Sequence, residues 1–245
     1  MISDPGRSGV IADFDGSLAP IVDDPADAHP LQSAVMVLSE LERRFALVAI
    51  VSGRPVEFLR EVLPAPGVRL VGQYGLEWQQ GGGVVLDPRA LPFVGAVAAA
   101  AIEAERELAG LLVERKGDVA VALHWRRCPE REPEAVACGE RLAIQHGLHV
   151  ARGRCVIELR PPIPVDKGTA IEAIAGDLRC LLMAGDDTGD LAAFDAMDRL
   201  IAGGSLAHAV RVAVRSPESP EELLDRSDVV VDGPEGLVEL LGHLA

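Results

Sequence analysis

The chain has 245 residues, with 23 Lys+Arg against 38 Asp+Glu and a formal net charge of −15. Hydrophobic residues make up 49% and charged residues 25%, which fits a globular chain burying roughly 70–75% of its unfolded surface. This acidity excludes general electrostatic capture of nucleic acid or anionic lipid, and any anion the protein handles needs local cations.

Apolar Val10-Ile11-Ala12 runs into Asp13-Phe14-Asp15-Gly16 and predicts a short buried strand ending in a polar loop. Leu31, Val35, Leu38 and Leu41 recur at helical spacing after Pro30. Phe45 to Val51 is a second apolar run, stopped by Ser52-Gly53-Arg54-Pro55, and a helix is expected from near Pro55. Val68 to Val71 reads as a third strand. Strand and helix in alternation imply a parallel sheet with helices on both faces.

The middle of the chain differs. Gly81-Gly82-Gly83 separates a hairpin of Leu76–Gln79 with Val84–Leu86. An alanine-rich helix is expected from Pro92 to about Leu108, and a hairpin of Leu111–Lys116 with Val119–His124 turns at Gly117-Asp118. A helix near Pro133–His146 and a hairpin of His149–Ala151 with Cys155–Leu159 follow. Pro161-Pro162-Ile163-Pro164 is a stiff linker. The parallel rhythm then returns: a helix from Lys167, strand Cys180–Ala184 ending in Gly185-Asp186-Asp187, a helix Asp190–Met197, strands Arg211–Val214 and Val229–Val231, and a helix Glu235–Leu244. The expected fold class is α/β, a doubly wound parallel-sheet core of about 1–90 and 163–245 with an inserted α+β cap of about 91–162.

The longest apolar stretch, Val94 to Ile102, is too short to cross a membrane, and MISDPGRSG lacks the apolar segment of a signal peptide. Cys128, Cys138, Cys155 and Cys180 form neither a C-x-x-C pair nor a zinc pattern. The expectation is a soluble, cytoplasmic protein with reduced thiols, no membrane contact and no nucleic-acid partner; the sequence leaves the oligomeric state open.

Five aspartates, Asp13, Asp15, Asp186, Asp187 and Asp190, follow strands whose carboxyl ends would bind ligands in a parallel sheet. Two unit charges about 4 Å apart repel by about 4 kcal/mol at an effective dielectric near 20. Singly, each could cap a helix or start a turn; together they call for a hard divalent cation, and Mg²⁺ fits because it needs few carboxylates. An EF-hand is excluded, since its turn glycine would have to stand where the chain has Leu18. Ser52-Gly53-Arg54 could hold phosphate oxygens through a hydroxyl and backbone N–H groups, or be an ordinary capped turn. Lys167 could be a solvated lysine at a helix start, the more common fate of a lone lysine, but the helix dipole opposes it there, which points to an anion nearby.

In chain order, Asp13-x-Asp15-Gly16, Ser52-Gly53-Arg54, Lys167-Gly168 and Gly185-Asp186-Asp187 with Asp190 resemble the four motifs of the haloacid-dehalogenase-like phosphatases. Asp13 to Ile21 with Asp24-Pro25, Tyr74-Gly75-Leu76-Glu77, Glu114-Arg115-Lys116-Gly117, His124-Trp125-Arg126 and Glu158-Leu159-Arg160-Pro161 resemble the trehalose-6-phosphate phosphatase family within them. The resemblance implies a Rossmann-like core with a cap, and Mg²⁺-dependent hydrolysis of trehalose 6-phosphate through an aspartyl-phosphate. It implies Asp13 as nucleophile, Asp15 as general acid and base, and Ser52 and Lys167 on the phosphoryl group. Asp187 and Asp190 would orient metal-bound water or Lys167. Mg²⁺ would be held by Asp13, the Asp15 carbonyl and Asp186. Gly53 and Arg54 would border the substrate, and Glu114, Lys116 and Glu158 would hold the sugar.

Three departures stand out: Ser17 in place of threonine, Gly189 and Leu191 in place of polar residues, and Gln73-Tyr74 in place of a pair that often contains histidine. They leave open a phosphatase for a related disaccharide or aminocyclitol phosphate. A silent sugar-phosphate sensor and a phosphomutase are the more distant readings; the presence of both Asp13 and Asp15 speaks against the sensor.

Overall fold

The computed structural model describes Met1 and residues 3–245. Strand β1 (Ser8–Ala12) leads through a loop to α1 (Gln32–Leu41), β2 (Leu47–Val51), α2 (Val56–Val62) and β3 (Arg69–Gly72). A hairpin of β4 (Glu77–Gln80) and β5 (Gly83–Leu86) follows. Next come α3 (Val94–Glu107), β6 (Leu112–Lys116), β7 (Ala120–His124), α4 (Glu132–His146), β8 (His149–Gly153) and β9 (Val156–Arg160). The chain closes with α5 (Lys167–Ala175), β10 (Cys180–Gly185), α6 (Leu191–Ala202), β11 (His208–Arg215), α7 (Glu221–Asp225), β12 (Val229–Asp232) and α8 (Gly233–Gly242).

The chain divides into two compact units, Met1–Val84 with Val165–Ala245, and Val85–Pro164. The larger unit is built on a sheet of order β12-β11-β10-β1-β2-β3-β4-β5. Its strands run parallel from β12 to β3, and β4 adds antiparallel to β3. Alternate residues of each central strand enter opposite cores, because successive side chains point to opposite faces. Val10, Ala12, Val48, Ile50, Leu182 and Ala184 pack with residues of α1, α2 and α8. Ile11, Ala49, Val51, Leu181 and Met183 pack with α5, α6 and Leu223. Burial on both faces explains the continuous apolar runs that mark these strands in the sequence.

Strand order reverses at β1, which has β2 on one side and β10 on the other. Ala12 pairs with Ala184, so Asp13 and Gly185-Asp186 emerge side by side at the carboxyl edge. A parallel sheet opens a crevice at such a point of reversal. Helices α5 and α6 press together behind it. A Cβ on Gly168 would stand 2.3 Å from the Ala192 carbonyl oxygen. Gly168→Ala should therefore cost about 1–3 kcal/mol as an overpacked contact; an unchanged urea midpoint would refute so close an approach.

The smaller unit carries an antiparallel sheet of order β6-β7-β9-β8. One face meets α3 and α4 through Val97, Ala100, Ala104, Leu123, Leu142, Ile157 and Leu159. Its hairpin turn places Gly117 at φ +59°, in the left-handed region that glycine accepts without strain.

Several boundaries differ from expectation. The hairpin strands are Glu77–Gln80 and Gly83–Leu86 rather than Leu76–Gln79 and Val84–Leu86. Leu76 is used up in a tight turn that holds Gln73 and Tyr74 at φ 51° and 59°. Strand β11 extends beyond Arg211–Val214 in both directions, because parallel pairing with β10 begins at His208. The terminal helix starts earlier than Glu235, at Gly233, and ends at Gly242. All four cysteines are free thiols. Among the described residues, no helix is long and apolar enough to cross a membrane.

Candidate active site

The loop after β1 is folded tightly around one carbonyl. The Phe14 oxygen accepts from the amides of Ser17, Leu18 and Ala19 at 3.3, 2.9 and 2.9 Å. Phe14 itself is fully buried and anchors the turn. The Asp13 amide donates to the Ala184 carbonyl at 2.9 Å, which fixes Asp13 to the end of β10. Gly16, at φ +78°, lies against Asp186: a Cβ there would come within 2.2 Å of the Asp186 carboxylate oxygen.

Asp13, Asp186 and Asp190 are all buried, and each offers a carboxylate oxygen within 4.8 Å of the others. Lys167 Nζ lies 3.0 Å from Asp13 Oδ1 and 2.7 Å from Asp190 Oδ1. The lysine is placed by a capping box at the start of α5, where the Asp166 side chain accepts from the Thr169 amide and Thr169 Oγ1 accepts from the Asp166 amide. Asp190 also accepts from the amides of Asp186 and Asp187 at 3.0 and 3.2 Å through its Oδ2. Its oxygens are thus committed to Lys167 and to the turn, which leaves Asp13 and Asp186 as the carboxylates suited to a metal. Asp187 Oδ1 accepts from the Gly189 amide at 2.8 Å and so closes the turn that presents Asp186.

The electrostatics follow from burial. Desolvation pushes the Asp13 carboxyl well above the usual range; Lys167 pulls it down, while Asp190, Asp186 and Asp187 push it further up. Asp190 is likewise raised by burial, against the pull of Lys167. Burial works against the charge on Lys167, but Asp13 and Asp190 outweigh it and raise its pKa well above the ordinary value, so the ammonium is kept. One lysine against three buried carboxylates leaves net negative charge. A hard dication fits this set of carboxylate donors.

Ser52 follows β2, buried, and its hydroxyl accepts from the Arg54 amide at 3.2 Å, which leaves its own proton to donate. The Ser52 and Arg54 carbonyls accept from the amides of Tyr74 and Gln73, both at 3.0 Å, so the left-handed loop after β3 braces this turn. A Cβ on Gly53 would lie 2.5 Å from the Tyr74 ring and hydroxyl. Arg54, expected beside the substrate, is paired with Asp15 at 2.7 Å.

In the smaller unit, Glu114 lies opposite Ala122, Ala122 opposite Glu158, and Glu158 opposite Ala151, so these residues share one sheet face. Lys116, two residues on from Glu114, shares it and is ion-paired with Glu158 at 2.7 Å, both buried. Glu158 Oε1 is buried without a hydrogen-bond partner among the described residues. His124 Nε2 lies 2.8 Å from Glu114 Oε2. The sequence signal for His124 was available: it alternates with Ala120 and Ala122 along β7, on the face that carries Glu114.

The family model described as trehalose-phosphatase matches residues 11–225. A trehalose-phosphate phosphatase of Mycobacterium marinum is 34% identical over 240 residues, which cover 90% of this chain and 61% of that protein. An uncharacterized glycosyl hydrolase of Mycobacterium tuberculosis is 35% identical over 205 residues, 78% of this chain and 15% of that protein. The chain therefore spans less than two thirds of the curated relatives it matches. A crystal structure of a trehalose-6-phosphate phosphatase related protein superposes with TM-score 0.81 at 26% identity, covering 96% of each chain. The C-terminal domain of Candida albicans trehalose-6-phosphate phosphatase shares the fold, with TM-score 0.78 at 22% identity over 99% of this chain and 94% of that one. A haloacid-dehalogenase-like hydrolase from Bacteroides thetaiotaomicron also shares it, with TM-score 0.62 at 14% identity over 98% of this chain and all of that one. With the family model matched over residues 11–225 and a relative 34% identical over 240 residues, the chain belongs to the trehalose-phosphatase family.

Proposed function

We propose that the protein is a phosphoric monoester hydrolase that releases inorganic phosphate from trehalose 6-phosphate. The observation that carries the reading is the meeting of Asp13, Asp186, Asp190 and Lys167 at the point where the parallel sheet reverses its strand order. Asp13 attacks the phosphorus and forms an aspartyl-phosphate, while the sugar oxygen leaves with a proton from Asp15. Asp15 then takes a proton from water, which attacks the acyl-phosphate and frees phosphate and Asp13. Ser52 and Lys167 hold the phosphoryl oxygens. Asp190 holds Lys167, and Asp187 keeps the turn that presents Asp186. Asp13, Asp186 and the Asp15 carbonyl would hold Mg²⁺, which would supply neutralisation of phosphoryl charge.

Glu114, Lys116 and Glu158 recognise sugar hydroxyls in this proposal. The unpartnered Glu158 oxygen is an acceptor suited to a hydroxyl donor. A related disaccharide or aminocyclitol phosphate is the second reading, favoured by Gln73-Tyr74 and by Gly189 and Leu191 of the last motif, which depart from the motifs the sequence otherwise resembles. Phosphate release from a panel of sugar phosphates decides: failure of trehalose 6-phosphate to outrank the others refutes the first. Chelation should stop turnover and added Mg²⁺ restore it. Glu114→Ala should lower kcat/KM on the preferred sugar phosphate about tenfold to a hundredfold, the loss of a charged hydrogen bond, and spare a small aryl phosphate. Equal losses on both would remove Glu114 from sugar recognition.

A further inference from the structure

Asp15 is gripped by a single side chain. Arg54 Nε donates to Asp15 Oδ2 and Nη2 to Oδ1, both at 2.7 Å, in the bidentate geometry that fixes orientation as well as distance. Nη1 donates to the Pro25 carbonyl at 2.7 Å. The guanidinium carbon lies 4.6 Å from the centroid of the Phe58 ring, and Phe58 meets the Phe14 ring edge-on at 5.9 Å. The Arg54 side chain is only 9% exposed, against 30% for Asp15. A stacked, buried fork therefore holds a more exposed carboxylate, and the fork is tied at its other end to the loop that follows β1.

We propose that Arg54 is the positioning residue of the acid–base group Asp15 and does not act as a ligand of the transferring phosphoryl group. The proposal rests on the phosphatase reading above. Its logic is geometric: a proton donor works only within hydrogen-bond reach of the leaving oxygen, and a carboxylate on a surface loop keeps one rotamer only when something holds both oxygens. Arg54 does that, while Phe58 and the Pro25 carbonyl keep Arg54 in place.

The two roles separate by leaving group. A sugar alkoxide must be protonated as it leaves, whereas a nitrophenolate departs without help. Loss of a phosphate ligand slows both first steps; loss of acid positioning slows only the sugar. In single turnover, Arg54→Lys should slow sugar release from the preferred sugar phosphate by about 10²–10⁴-fold. Nitrophenolate release from 4-nitrophenyl phosphate should stay within about threefold of wild type. Because the second step also uses Asp15, the variant should show a full nitrophenolate burst followed by a slowed steady state. Intact-mass measurement should find the aspartyl-phosphate accumulating with the aryl substrate and not with the sugar phosphate.

Should Arg54→Lys fail to fold, Phe58→Leu, which removes the stacked ring, is expected to give the same pattern at smaller amplitude. Parallel slowing of both first steps with raised KM would overturn the proposal, as would unchanged kinetics. A crystal structure of Arg54→Lys with Asp15 in its original rotamer would overturn it too. Failure of the wild-type protein to release phosphate from either substrate would instead sink the phosphatase reading.

Discussion

Replacing Asp13 with asparagine is expected to end phosphate release and, in the same protein, to raise the melting temperature measured in chelator. With Asp13 as the proposed nucleophile, the loss of turnover should be about 10⁴–10⁶-fold, the scale for removal of a covalent nucleophile. The gain in stability follows from the sign of the Asp13 shift. Burial raises its pKa in the fold, and Asp190, Asp186 and Asp187 raise it further against the pull of Lys167. A carboxyl raised in this way contributes stability that is full below its unfolded pKa and lost as pH rises through its folded pKa. Asparagine carries no such penalty, so its advantage should grow with pH. In a protein of this size each kcal/mol appears as about 2–4 °C. A variant that retains turnover would remove Asp13 from the chemistry. One that melts below wild type in chelator at alkaline pH would contradict the charge balance of the cluster.

The opposite stability effect is expected at Lys167. Its ammonium is 3% exposed and reaches Asp13 and Asp190. Lys167→Met leaves two buried carboxylates without their cation, a defect that costs about 3–5 kcal/mol. The deficit should shrink as pH falls, because protonation relieves Asp13 and Asp190, both raised by burial. Saturating Mg²⁺ should narrow it, since without the Lys167 ammonium the bared carboxylates hold a dication more tightly than in the wild type, and a tighter ligand of the folded state stabilises it more. Turnover should fall with kcat rather than KM alone, because Lys167 touches Asp13, the nucleophile of the proposed mechanism. Equal denaturation midpoints for variant and wild type across pH 5 to 8 would refute this account.

Much of this was legible in the chain. The doubly wound order can be read because β1, β2 and β10 are buried on both faces, and such strands write themselves as unbroken apolar runs. Asp13 and Asp186 could be paired from sequence because each stands immediately after such a run. The partner of Arg54 was not legible: Asp15 lies 39 positions away, and a charge next to Ser52-Gly53 suits a phosphate as well as a carboxylate. Boundaries failed where backbone geometry outweighed side-chain pattern. Leu76 is apolar and invites a strand, yet two successive left-handed residues before it consume it in a turn. Asp187 and Asp190 look equivalent in sequence, and only their hydrogen bonds separate a turn former from the partner of Lys167.

The close approach of Tyr74 to Gly53 bears on which ancestors of this chain could have existed. A methyl at Gly53 would fall 2.5 Å from the outer end of the Tyr74 ring, so a side chain there requires the ring to swing aside or shrink, whereas the ring can be lost with glycine still in place. Changes at the two positions are therefore coupled, and loss of the ring first is the easier order. A library varying Gly53 alone should favour glycine, while one varying both together should accept larger residues at Gly53 most often where Tyr74 has become smaller.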